Sequence, residues 1–226
     1  MLRESLVFRC VRCGKCCMSS PVSILPHEDV ILSFIARKIG LKYMSRAGYT
    51  IYDAVNDINL ALSYVMLLDE NSRCVFLNGS NLCLLHEIYK PYICRSYPYV
   101  PRQVKYTFDE ESKWISAQVD YGLSTSCPVV ERDKGLLEKY FKYDPRYFLS
   151  YIEKEYTVAL EMESDRQTLL SLLSYLWRTG IVELQSNKAG SRTVNLYEFL
   201  REYFPDLPSR LYTSRYIQRI KDLSKG

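Results

Sequence analysis

The chain has 226 residues, 47% of them hydrophobic and 25% charged, a balance that describes one large folded domain or two small ones and excludes disorder and collagen-like repetition. The longest apolar stretch, around residues 61–68, contains Ser63 and Tyr64 and falls far short of the roughly 20 residues that a membrane span needs. Thirty basic and 26 acidic residues are interleaved to a net charge of +4, so no basic stripe announces a nucleic-acid partner.

The opening MLRESLVFRC carries Arg3, Glu4 and Arg9 around few apolar residues. It does not read as a secretory leader, and a cytoplasmic protein is expected. The informative residue is cysteine: there are eight, and four of them fall in CVRCGKCC as Cys10, Cys13, Cys16 and Cys17. A C-x2-C step turns the backbone so that both sulfurs face one ion or one cluster corner, and Gly14 eases the second turn. Adjacent side chains diverge, so Cys16 and Cys17 are expected to serve different corners or sites.

HEDVILSFIARKI is amphipathic behind Pro26 and is followed by Gly40, which predicts a helix over 26–39. His27, in its first turn, reads as structural. Residues 58–68 and 74–85 read as strands, the second stretch as a hairpin about Asn78 and Gly79 with Cys74 and Cys83 at its bases. His86, three residues after Cys83, has the spacing of an alternative ligand. Cys94 is followed by Arg95, whose guanidinium would offset thiolate charge. Tyr97, Pro98, Tyr99 and Pro101 predict an extended segment covering the site. Two alternating runs about DEES predict a hairpin over 104–121, and Cys127 precedes Pro128 as in ferredoxin cysteine runs.

Beyond Cys127 the pattern is helical: GLLEKYFKY, a second helix opening at Asp144 and Pro145, and a third from DRQTLL to Gly180. Tyrosines at 140, 143, 147, 151 and 156 recur at near-helical spacing, the pattern of a packing face rather than a relay. IVELQ, SNKAG and SRTVN could form the wing of a winged helix near Lys188 and Arg192. The local charge is too modest to make nucleic acid the leading partner. A final helix is predicted around 213–223. The fold class is α+β: a small cysteine-rich domain with β-hairpins over 1–135, then a mainly helical region over 136–226.

The cysteine segments resemble the YkgJ family of cysteine-cluster proteins, whose domain is named for zinc or iron chelation. The likeness rests on CVRCGKCC, on Cys74 with Phe76 and Leu77, on Cys83, and on Pro91 leading to Cys94, Arg95, Tyr97 and Pro98. It departs at Lys90, where the family has arginine, and after Cys127, where Val129 and Val130 replace glycines. It covers roughly 5–135 and implies a ligand list of Cys10, Cys13, Cys16, Cys17, Cys74, Cys83, Cys94 and Cys127, with Arg95 beside the site.

Eight thiols suit two zinc ions, two iron–sulfur clusters or a mixture. C-x2-C-x2-C and Cys-Pro point to iron–sulfur, whereas cysteines on a hairpin resemble zinc-ribbon arms. A disulfide framework does not suit a chain without a secretion signal. Electron transfer, sensing or metal handling fit a metalloprotein. A zinc-stapled interaction or nucleic-acid-binding module and an iron–sulfur enzyme are the alternatives, although no glycine-rich nucleotide loop supports the last. The protein partner is not legible.

Overall fold

The computed structural model describes residues 6–18, 21–142, 146–186 and 188–222. The fold is α+β, with small sheets and a helical C-terminal region. Three sheets form. β1 (Val22–Ile24), β5 (Tyr64–Met66) and β2 (Ser45–Ala47) pair antiparallel with β5 in the middle. β3 (Thr50–Asp53) and β4 (Ile58–Ala61) make a hairpin flanked by β8 (Leu184–Gln185) and β9 (Arg192–Asn195). β6 (Tyr99–Asp109) and β7 (Trp114–Leu123) form a long two-stranded ribbon.

Helix α1 (Pro26–Lys38) runs as its pattern predicts, with Pro26 at its start, the Glu28 carboxylate reaching back to the Leu25 N–H, and Gly40 at φ 71° behind it. The Val104–Tyr121 hairpin also forms, extended at both ends. The stretch 58–68 is not one strand. It breaks at Leu62 and Ser63, where the Ser63 hydroxyl takes the Tyr49 N–H at 3.0 Å and its carbonyl takes the Gly48 N–H at 2.8 Å. β4 therefore joins one sheet and β5 another.

Residues 74–85 form no strands, only turns with a single bridge between Leu77 and Cys83. The Asn78 side chain accepts the N–H groups of Ser80 (3.0 Å) and Leu82 (2.9 Å), and Asn81 sits at φ 59°. Such side-chain-to-backbone bonds compete with a ladder and hold a compact loop instead.

After Cys127, α3 (Pro128–Phe141) starts well before the expected GLLEKYFKY. The helix start expected at Asp144 and Pro145 lies outside the described residues; α4 spans Arg146–Tyr151 and α5 spans Glu153–Arg178 without a break at Asp165. That aspartate is buried and accepts the Tyr92 hydroxyl at 2.6 Å and the Tyr212 N–H at 2.8 Å rather than capping a new helix. Tyr143 also lies outside the described residues. Of the other spaced tyrosines only Tyr151 is buried, with its hydroxyl on Asp133 at 3.0 Å; Tyr140 and Tyr147 stack on each other instead of lining a core face.

β8 and β9 do not pair with each other as a wing would. They border β3 and β4 on opposite sides, β9 running parallel to β4, so strands from beyond residue 136 complete a sheet begun before residue 60. Asn195 ends β9 and caps α6 (Leu196–Tyr203), accepting the Tyr197 N–H at 2.9 Å while donating to the Pro26 carbonyl at 3.0 Å. α7 (Leu207–Arg210) and α8 (Ile217–Asp222) close the chain. The largest core lies between this sheet and α5, around Leu60, Leu173 and Trp177. A second core packs α1 and β5 against the cysteine loops through Leu32, Ile35, Phe76, Tyr89 and Ile93.

Candidate metal centre

The N-terminal cysteine loop is anchored at both ends. The Phe8 N–H donates to the Tyr151 carbonyl at 2.7 Å, and the Phe8 ring packs edge-on against Tyr151. At the far end, the Cys74 N–H donates to the Cys17 carbonyl at 2.8 Å. Between these points Arg12 (φ 52°) and Gly14 (φ 73°) reverse the chain, and a short 3-10 turn, Lys15–Cys17, follows. A Cβ on Gly14 would lie 2.9 Å from the Asn81 carbonyl oxygen, so both the backbone angle and the space require glycine.

The other cysteines come from three different local structures. Cys74 and Cys83 sit on the turn-rich loop, Cys94 lies on the short helix α2 (Tyr92–Ser96), and Cys127 is the N-cap of α3. All eight meet around two cavities that share Cys16, Cys17 and Tyr97. The first, of about 250 Å³, is also lined by Cys10, Cys13, Cys83 and Cys127; the second, of about 450 Å³, by Cys74 and Cys94. Cys10 and Cys13 are exposed, Cys127 is buried, and the rest are half-buried. No disulfide joins them. Among the described residues, no three His, Cys, Asp or Glu side chains are gathered tightly enough to clasp an ion as they stand.

The Cys16 and Cys17 sulfurs are 3.8 Å apart. Contact with Cys17 and then burial push the Cys16 thiol up. Cys17 is lowered by the Cys16 bond, but the Cys74 contact and burial outweigh it and the thiol is pushed up to about 12. Burial raises Cys83 and Cys94, with Lys90 pulling both back, and Cys94 also feels Cys17, Cys16 and Cys83. Cys127 is raised by burial, eased by the N–H groups of Val130 and Val129 at the start of α3, and pushed up again by Cys10 and Cys13. These are metal-free thiols, crowded so that ionising one opposes ionising the next. A bound cation reverses that balance. Soft sulfur donors suit zinc, iron and iron–sulfur groups, so the donor set fits the group that the sequence implies.

Arg95 faces away from the thiols and lines neither cavity. Its guanidinium lies over the rings of Tyr92 (4.5 Å) and Tyr216 (5.1 Å), donates to the Lys90 carbonyl and the Tyr216 hydroxyl, and pairs with Glu161 at 3.5 Å. The cation facing the sulfurs is Lys90, which lines the first cavity and acts on Cys16, Cys83 and Cys94. Proximity in the chain favours Arg95, and the departure from the family pattern at Lys90 is the signal in the sequence that points to the other cation. Arg12 and Lys15 line the same cavity.

His86 lines the first cavity from an exposed position, and burial with Arg12 and Lys90 nearby holds its imidazole below the usual histidine range. His27 is buried away from both cavities, 3.4 Å from Asp165 and between Tyr92 and Tyr197. Of the extended segment expected to cover the site, Tyr97 lines both cavities, and Val100 and Pro101 line the second.

Among the described residues, no helix is long and apolar enough to cross a membrane. No curated protein and no solved structure matches the chain. The family model CxxCxxCC, described as a "putative zinc- or iron-chelating domain", matches residues 9–120. That span takes in every cysteine except Cys127. Through residues 9–120 the chain belongs to the CxxCxxCC family, and metal chelation is the activity that membership supports.

Proposed function

We propose that the chain is an iron–sulfur protein with an electron-transfer or redox-sensing role, its cysteines being the ligands. The observation that carries this reading is the first cavity: six thiols border about 250 Å³, far more room than the gap between four sulfurs held about 2.3 Å from a single ion. Exposure of Cys10 and Cys13 leaves that edge open to a redox partner or to oxidants. Thiols kept unbridged suit a reducing, cytoplasmic setting. When bound, a cluster supplies one-electron chemistry. The chain's part is to hold the thiols, to aim the Val129 and Val130 N–H groups at Cys127, and to set Lys90 against the sulfur charge.

A zinc-stapled module is the second reading, and one distance favours it. The 3.8 Å between the Cys16 and Cys17 sulfurs equals the edge of a tetrahedron with zinc–sulfur bonds of about 2.3 Å. Anaerobic purification, visible absorption, and assays for iron, zinc and acid-labile sulfide separate the two. Brown protein with comparable iron and sulfide supports the cluster; colourless protein carrying zinc alone overturns it in favour of the staple.

A further inference from the structure

We propose that the second cavity binds an amphipathic oxyanion, an apolar chain ending in a carboxylate or phosphate whose head is held by Arg102 and Arg166. The assignment goes beyond the metal reading and depends on neither iron nor zinc. The cavity measures about 450 Å³, within the range of small-molecule sites and well beyond the need of an ion. Ile24, Met66, Ile93, Val104 and Met162 give it apolar walls from β1, β5, α2, β6 and α5. Arg102 and Arg166 also line it, and no Asp or Glu among the described residues does. An anionic head therefore meets arginine without a competing acid in the wall, while its apolar body leaves water.

Arg166 is fixed before any ligand arrives. It is 7% exposed, and one N–H on each guanidinium nitrogen is already taken. Nε and Nη2 donate to the Glu163 carboxylate at 2.9 and 3.4 Å, and Nη1 donates to the Tyr106 hydroxyl at 3.0 Å. Glu163 in turn accepts the Tyr121 hydroxyl at 2.6 Å. Each terminal nitrogen keeps a second N–H, the kind of paired donor that a head with two oxygens accepts. Because Glu163 balances the charge of Arg166, the attraction for an anion comes mainly from Arg102.

Arg102 is the extra residue of a bulge. The register of the ribbon shifts between Pro101 and Gln103, leaving Arg102 without a partner on β7, and bulges of this kind re-aim a side chain. The guanidinium donates to the Leu123 carbonyl, and the side chain crosses Gly122, where a Cβ would lie 2.9 Å from its Nε. Gly122 has no positive φ, so what glycine supplies there is the space for Arg102. Cys16, Cys17, Cys74 and Cys94 border the same cavity, and a ligand within it lies beside the candidate metal centre.

The test is calorimetric titration of the full-length, anaerobically purified protein with octanoate, octyl phosphate, octanol and acetate, with metal assayed on the same samples. The expected result is saturable binding of octanoate or octyl phosphate, the tighter of the two naming the head, with octanol and acetate each weaker by about tenfold or more. Arg102→Ala and Gly122→Ala should each raise the dissociation constant about tenfold at unchanged metal content and unchanged helical circular dichroism, through the loss of one charge-assisted contact. Arg166→Lys, which keeps the charge and loses the fork, should weaken binding as well. Wild-type protein that binds neither amphiphile overturns the assignment. So does octanol binding as tightly as octanoate, acetate doing the same, or a folded Arg102→Ala protein of wild-type affinity. Binding by protein that carries zinc alone supports this site while removing the iron–sulfur reading.

Discussion

The Cys17 carbonyl oxygen accepts the backbone N–H of Cys74 at 2.8 Å. This one bond clips the N-terminal cysteine loop to the turn-rich loop and sets Cys17 and Cys74 at the rim of a common cavity. The loop's other anchor is the Phe8–Tyr151 bond. Between the two, its path is dictated by backbone angles rather than by a ladder of hydrogen bonds, and its geometry is sensitive to single residues.

Gly14→Ala should be among the most damaging substitutions outside the cysteines. The new Cβ would meet the Asn81 carbonyl oxygen at 2.9 Å from a backbone at φ 73°, and such a residue costs about 1–2 kcal/mol. Denaturant unfolding and the metal content of the purified protein should both fall. Full metal loading at unchanged stability would refute the account of the loop.

Lys90→Ala and Arg95→Ala should separate two roles that the sequence merges. Lys90 faces Cys16, Cys83 and Cys94, so its loss should weaken metal retention against a competing chelator while the metal-free fold keeps its stability. Arg95 pairs with Glu161 and packs between Tyr92 and Tyr216. Its loss takes one of two arginines from Glu161, which keeps Arg215, and removes the cation stacked on Tyr92 and Tyr216; it should cost about 1 kcal/mol in unfolding, with ligand competition unchanged. The reverse pattern would restore Arg95 as the charge partner of the thiols.

The thiols make the metal-free protein sensitive to alkali. Cys17 is lowered by its bond to Cys16 but raised further by Cys74 and burial, to about 12 against an ordinary value of 9.0. Cys83 and Cys94 are raised by burial. Groups raised on folding bind their protons more tightly in the folded chain, so the stability they contribute is fully present below the ordinary thiol value and is lost as pH climbs through the folded ones. Unfolding free energy of the metal-free protein should therefore fall between about pH 9 and 12. Metal removes the dependence, because bound thiolates carry no proton. A flat profile without metal contradicts the crowding of the sulfurs.

Chelation should loosen one part of the molecule before the rest. Cys74, Cys83 and Cys94 pack against the core of Ile35, Phe76 and Tyr89, whereas Leu173, Trp177 and the β3–β4 sheet form a separate core without cysteine. Hydrogen exchange after metal removal should rise across 9–18 and 72–90 and stay low in α5. Uniform loss of protection would show that the metal supports both cores.

The sequence by itself determined the cysteine inventory, the first helix and the long ribbon. Cysteine spacing, the Pro26-to-Gly40 pattern and strict alternation about DEES are local signals, read within one turn or one strand. Tertiary structure decided what depends on partners far along the chain. Asp165 reads as a helix start, yet Tyr92 and Tyr212 supply the bonds that keep it inside α5. IVELQ and SRTVN read as a pair, yet the edges of β3 and β4 claim them separately. Arg95 sits beside Cys94 in sequence, but on α2 its side chain is drawn to Glu161 and Tyr216, and Lys90 faces the sulfurs. The meeting of Cys17 and Cys74 follows the same rule: a backbone hydrogen bond between their two segments brings them to one cavity, and no spacing within either segment encodes that.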